Sequence, residues 1–175
     1  MQNNPLANPN QGVLKPSCGL GWPIQHPQHI MKTIGLASDH AGFALKQFVR
    51  EYLEAHHIEY KDYGTYSEES CDYPDYAHAL ARGMKNGEVE QGIAICGSGE
   101  GISMTLNKHQ HIRAALVWEP EIAHMTRLHN DANVLVMPGR YISTETASKI
   151  MDEFLGTAFE GGRHVRRIEK IPVSE

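Results

Sequence analysis

The chain has 175 residues, enough for one domain with a real core, and its 41% hydrophobic and 21% charged composition is that of an ordinary globular protein. A net charge of −5 argues against non-specific binding to nucleic acid or acidic membranes, so an anionic ligand would have to be met by a local cluster of positive charge. Cys18, Cys71 and Cys96 form neither a disulfide framework nor a CxxC zinc pair, and there is neither an apolar run near the ~20 residues of a membrane span nor a basic-then-apolar leader, so the sequence reads as cytoplasmic.

Residues 1–30 are rich in Pro, Gly, Asn and Gln without apolar periodicity, which predicts a flexible extension; Met31 is a candidate alternative start. The patterned domain, 31–175, opens with a β-rich run at 33–37. Ser38-Asp39-His40-Ala41-Gly42 then leads into a helical stretch at 43–55. A second strand is predicted at 58–64 and a helix at 73–86, with Pro74 suited to its first turn. A buried strand at 92–96 ends in GSGEG, followed by a short helix at 102–108 and a fourth strand at 112–118. Glu119-Pro120 opens a helix to about His129, ahead of a fifth strand at 133–137 and a helix at 144–155. Glycines break the chain before a basic tail at 163–170. Strands alternating with helices predict an α/β fold: a single Rossmann-like three-layer domain around a five-stranded parallel sheet, with ligands bound beyond the carboxyl ends of the strands.

Three segments at predicted strand ends carry reactive residues: Asp39-His40, Cys96 with its glycine loop, and His129-Asn130-Asp131. The loop feeds a helix N-terminus, where free N–H groups favour negative charge. It suits either a phosphate cradle or an oxyanion hole, and it lacks the GK[ST] ending of a P-loop. A thiol at a helix N-terminus is activated as a base or nucleophile, whereas a lone buried cysteine is more often an inert small hydrophobe. Taken singly, Asp39 reads as a helix cap and His129-Asn130-Asp131 as a helix end. Their joint occurrence at the carboxyl ends of one sheet is what favours a site. Arg163 and Arg167, four apart, would share a helix face; such a pair suits a phosphate monoester, or is a solvated basic surface.

Five segments in order, SDHAGFALK, DYPDYA, CGSGEGISMTLNK, HNDANVL and EGGRHVRR, resemble the signature of the type B ribose-5-phosphate isomerases, a family that includes the two-subunit galactose-6-phosphate isomerases. The resemblance covers about 31–171. It implies ribose 5-phosphate/ribulose 5-phosphate isomerisation in the pentose phosphate pathway through a cis-enediolate, with no metal or organic cofactor. Cys96 matches the catalytic thiol base, Ser98 the hydroxyl that moves protons between substrate oxygens, and Asp39 and His129 the ring-opening pair. Asn130 resembles the ligand of the sugar oxygens, Tyr73 a residue lining the site, and His40, Arg140, Arg163 and Arg167 the phosphate binders. Gly97, Gly99 and Gly101 present the loop backbone. Glu100 lies one residue short of the carboxylate some members use, and receives no role. The resemblance further implies a homodimer or a tetramer with sites shared between subunits. A hexose-6-phosphate (allose or galactose) isomerase and a phosphosugar-binding module without turnover are the competing readings.

Overall fold

A computed structural model describes residues 33–173. The predicted extension at 1–30, Cys18 and Met31 lie outside the described residues. Five strands build the sheet: β1 (Ile34–Ser38), β2 (Tyr60–Asp62), β3 (Gln91–Cys96), β4 (Ala114–Leu116) and β5 (Val134–Pro138). All pairings are parallel, in the order β2-β1-β3-β5-β4. The helices are α1 (Phe43–Ala55), α2 (Tyr73–Lys85), α3 (Glu100–Leu106), α4 (Pro120–Asn130), α5 (Thr144–Gly156) and the one-turn α6 (Val165–Ile168), with 3₁₀ turns at His40–Gly42 and Gly162–His164.

Side chains of successive strand residues point to opposite faces, and this divides the core in two. Leu36, Ile93, Ile95, Leu135 and Met137 pack with α1, α4 and α5. Ala37, Ala94, Cys96, Val134 and Val136 face α2 and α3. β1, β3 and β5 are buried along their whole length, as continuous apolar strands covered on both faces should be.

The expected architecture is therefore present, with differences at element ends. The two edge strands are shorter than predicted because each has a partner on one side only. Single backbone bonds, such as Tyr63 N–H to Leu36 O at 2.8 Å and Val117 N–H to Val136 O at 2.8 Å, continue past their regular ladders. α3 starts at Glu100 rather than Ile102, so the glycine loop narrows to Gly97-Ser98-Gly99. Gly99 sits at φ +79, a conformation that favours glycine, and a Cβ there would lie 2.3 Å from Leu116 Cδ1, which would have to move aside. The basic tail is not one helix; Arg163 lies in the last 3₁₀ turn and Arg167 in α6.

Candidate active site

The chain leaves β1 toward β2 on one side and passes from β3 toward β5 on the other, so the crevice of the sheet opens at the carboxyl ends of β1 and β3. Asp39 follows β1 and its N–H bonds Ile95 O at 3.2 Å, which sets it beside the end of β3. Its Oδ1 accepts from Gly42 N–H at 2.9 Å, so the capping reading holds; among the described residues Oδ2 has no partner. Cys96 ends β3, 4% exposed, on the α2/α3 side of the sheet. Its carbonyl accepts from Gly139 N–H at 2.9 Å, and Gly97 O accepts from Arg140 N–H at 3.1 Å. The Arg140 side chain lies along Gly97: a Cβ on that glycine would be 3.6 Å from Arg140 Cδ.

The same edge holds Tyr73, His40 and Ser98. The Tyr73 ring lies against Gly101, where a Cβ would come within 2.5 Å of Cζ; only a glycine lets the ring approach the loop so closely. His40 is anchored through Nδ1, 3.2 Å from both the N–H and the carbonyl of Cys71, and Nε2 has no partner among the described residues. Ser98 is exposed, with Oγ 3.4 Å from Glu100 N–H. Behind this edge, buried Lys46 bridges Asp62 and Thr65 O, each at 2.6 Å, while Thr65 N–H bonds Ser38 O at 2.7 Å. Burial holds the Lys46 ammonium below its ordinary pKa, with Asp62 partly opposing. Lys46 thus ties α1 to the turn after β2, and the Thr65 N–H ties that turn to the end of β1, just ahead of Asp39.

His129 and Asn130 are not with this group. They end α4, which runs back across the sheet; Asp131, at φ +44, turns the chain toward the start of β5. Asn133 O accepts from Gly92 N–H at 2.9 Å near the start of β3. The expectation that three reactive segments meet at carboxyl ends is corrected here: two do, and the third lies at the amino edge. β5, five residues at about 3.3 Å each, separates the two levels by about 13 Å. The C-terminal turns also come to the amino edge. Glu160 N–H bonds Leu128 O at 3.0 Å, and the His164 ring stacks on His129 with centroids 4.3 Å apart and planes 9° from parallel. Arg163 Nε lies 3.5 Å from His164 Nε2, and the charges of Arg163 and Arg167 both act on His164.

Glu160 and His164 are functional candidates that the sequence reading missed. Glu160 Oε2 lies 3.6 Å from His129 Nε2 and 3.5 Å from His164 Nε2. Their i,i+4 spacing was a usable signal, hidden because the stretch reads as a glycine break followed by a basic tail. Burial, His129 and Arg163 hold the His164 imidazole below its ordinary pKa. The ligand atoms of His129, Glu160 and His164 fall within 4.8 Å of one another. The geometry does not suit a cation, however. Ring lone pairs lie in the ring planes, and two stacked, parallel rings cannot aim them at one point unless the stack opens.

The edge β4–α4 surface is apolar and open. A groove there is lined by Leu116, Ile122, Met125, Thr126 and Asn130, so it runs up to the amino-edge group. Met104 and Trp118 are 62% and 50% exposed. Among the described residues no helix is long and apolar enough to cross a membrane.

The comparisons with known proteins agree with this fold. The family model described as Ribose/Galactose Isomerase matches residues 34–171. Ribose-5-phosphate isomerase B of Escherichia coli (strain K12) is 45% identical over 145 residues, 83% of this chain and 97% of that protein. The crystal structure of a ribose 5-phosphate isomerase from Thermotoga maritima superposes with a TM-score of 0.79 at 51% identity, covering 81% of this chain and 97% of that one. Ribose-5-phosphate isomerase B from Mycoplasma genitalium, solved with bound ribulose 5-phosphate, gives a TM-score of 0.75 at 42% identity, covering 79% and 93%. Sequence similarity and fold converge, and the chain belongs to the ribose/galactose isomerase family.

Proposed function

We propose that the protein interconverts ribose 5-phosphate and ribulose 5-phosphate, using Cys96 as the base, in the cytoplasm, where a thiol stays reduced. The observation that carries the reading is Cys96 at the end of β3 beneath a glycine loop, beside Asp39 at the reversal of the sheet. The M. genitalium relative solved with bound ribulose 5-phosphate supports the substrate class.

The substrate enters mostly as a closed ring. His129 protonates the ring oxygen while Asp39 accepts the anomeric hydroxyl proton. The Cys96 thiolate then takes the proton from the carbon next to the carbonyl, leaving a cis-enediolate. Backbone N–H groups from Gly97 to Gly101 are the donors for its charge. Ser98 exchanges the oxygen protons, and Cys96 returns its proton to the neighbouring carbon. Tyr73 and Asn130 hold the sugar; His40, Arg140, Arg163 and Arg167 hold the phosphate. Ring opening breaks the bond between C1 and the ring oxygen as the two protons move, the later steps move only protons between carbon and oxygen, and neither a metal nor an organic cofactor is assigned.

One chain cannot bring His129 to its own Cys96, because the two lie at opposite edges of the sheet. We therefore place the carboxyl edge of one subunit against the amino edge of another in a homodimer, and the apolar β4–α4 surface that ends at Asn130 supports this. The test is an isomerase assay of purified protein against ribose 5-phosphate, allose 6-phosphate and galactose 6-phosphate. Turnover of ribose 5-phosphate that Cys96→Ala abolishes is the expected result. Preference for a hexose phosphate would reassign the substrate, and binding without turnover would make the protein a phosphosugar-binding module.

A further inference from the structure

Ring opening needs more of His129 than a proton. An imidazole has two nitrogens, and a general acid works only if the protonated one faces the oxygen that will receive the proton. Nothing in the proposed mechanism so far decides which nitrogen that is. The amino edge contains a group placed to decide it.

We propose that Glu160 is a positioning residue for ring opening, its carboxylate holding Nε2–H of His129 so that Nδ1–H faces the ring oxygen of the substrate. This rests on the reading of His129 as the ring-opening acid. Three observations point to Glu160. Its Oε2 lies 3.6 Å from His129 Nε2, an ion-pair distance that charge on the ring would shorten. Its backbone N–H is bonded to Leu128 O, one residue before His129, so the carboxylate is tethered to the helix end that carries the imidazole. Among the described residues no hydrogen bond reaches His129 Nδ1, so that nitrogen is left for a ligand.

His164 completes the arrangement. It is 7% exposed, and its ring covers one face of His129 in a near-parallel stack, which limits how that ring can tilt. Burial disfavours the charged form of His164, so His164 competes weakly for the Glu160 carboxylate. The step then balances. The His129 imidazolium gives its Nδ1 proton to the ring oxygen as the bond from that oxygen to C1 breaks, and the anomeric hydroxyl proton passes to Asp39. The neutral ring keeps Nε2–H on Glu160, ready to recapture a proton at Nδ1. Among the described residues the cations Arg163 and Arg167 act on His164, the partner of the stack; on α4, Arg127 is engaged by Asp131 and His124 by Glu153. Glu160 is thus the carboxylate closest to His129 among the described residues.

The test uses Glu160→Gln in the full chain and two reactions. Ribose 5-phosphate must be opened before it can react. Ribulose 5-phosphate is acyclic, because the oxygen that would close its ring carries the phosphate, so exchange of its C1 proton with deuterated solvent needs Cys96 but no ring opening. Glu160→Gln should lower kcat/KM for ribose 5-phosphate by about tenfold and leave the exchange within about twofold of normal. It should also move the alkaline limb of the ribose 5-phosphate pH profile to lower pH, since the imidazolium loses its counter-charge. The Glu160 side chain is 56% exposed, so the melting temperature should not move. Equal loss in both reactions, or an unchanged profile, overturns the proposal. His129→Asn separates the two readings. If it leaves ribose 5-phosphate turnover intact, the assignment of His129 falls and the proposal with it; if it is impaired while Glu160→Gln is not, only the role of Glu160 is overturned.

Discussion

The two edges of the sheet are built in different ways. At the carboxyl edge the candidate groups sit on tight backbone turns, held by close packing of Gly99 against Leu116 and Gly101 against Tyr73 and by the Asp39 N–H bond to Ile95 O. At the amino edge they sit on a helix end and two short C-terminal turns, joined by a ring stack and a carboxylate. The first arrangement suits proton removal from carbon, where donors and base must already be in place. The second suits groups that bind and release an oxygen or a phosphate.

That contrast can be broken, most sharply with Cys96→Ala. Loss of the base should cost about 10²–10⁴-fold in kcat, and should abolish both isomerisation and C1 exchange while phosphosugar still binds, which calorimetry would show. A variant with more than a third of normal kcat would end the assignment. Mixing Cys96→Ala with His129→Asn chains should then restore activity to about a quarter of normal, because about half of randomly paired dimers are hybrids with one intact site of two. No recovery in verified hybrids would place both groups in one chain's site.

The next effect tests the phosphate end. Arg167→Ala should raise KM about tenfold through loss of a charge-assisted hydrogen bond of about 1.5–3 kcal/mol, with kcat and melting temperature little changed. An unchanged KM would make the basic turn a solvated face. Gly101→Ala should displace the Tyr73 ring and weaken sugar binding several-fold by kinetics, while Arg167→Ala leaves ring contacts alone.

The smallest effect is on stability against pH. Burial, with His78 and His111, holds the His109 imidazole below its ordinary value, and burial does the same for His164. A lowered folded pKa means that the unfolded chain binds more protons below about pH 6.5, so stability should fall as pH drops through that value. Melting curves of His109→Gln should show a shallower decline; an unchanged slope would remove His109 from the cause.

Most of the carboxyl edge was legible because its meaning is local. SDHAG and CGSGEG each join a strand to a helix within a few residues, and their partners are set by backbone turns. His129 was misplaced because nearness in sequence to a strand was taken for nearness to its carboxyl end. The alternation itself contained the correction, since a helix returning between parallel strands finishes where the next strand begins. The i,i+4 spacing of Glu160 and His164 was visible, but their contact with His129 was not. The stack forms only because the chain reverses at Gly161 and Gly162, both at positive φ, and brings a tail back onto α4. No spacing rule anticipates that contact.

The placement of Cys96 and His129 at opposite edges of the sheet, levels about 13 Å apart along β5, also bears on how the enzyme responds to its own abundance. In the proposed homodimer half of each site would stand on either side of a subunit contact, so turnover would depend on association by mass action. Specific activity should then fall on dilution below the dissociation constant of the pair, and substrate that bridges both halves should oppose that fall. Catalytic output would rise more steeply than in proportion to chain number at low expression, a threshold that comes from geometry alone, without any effector.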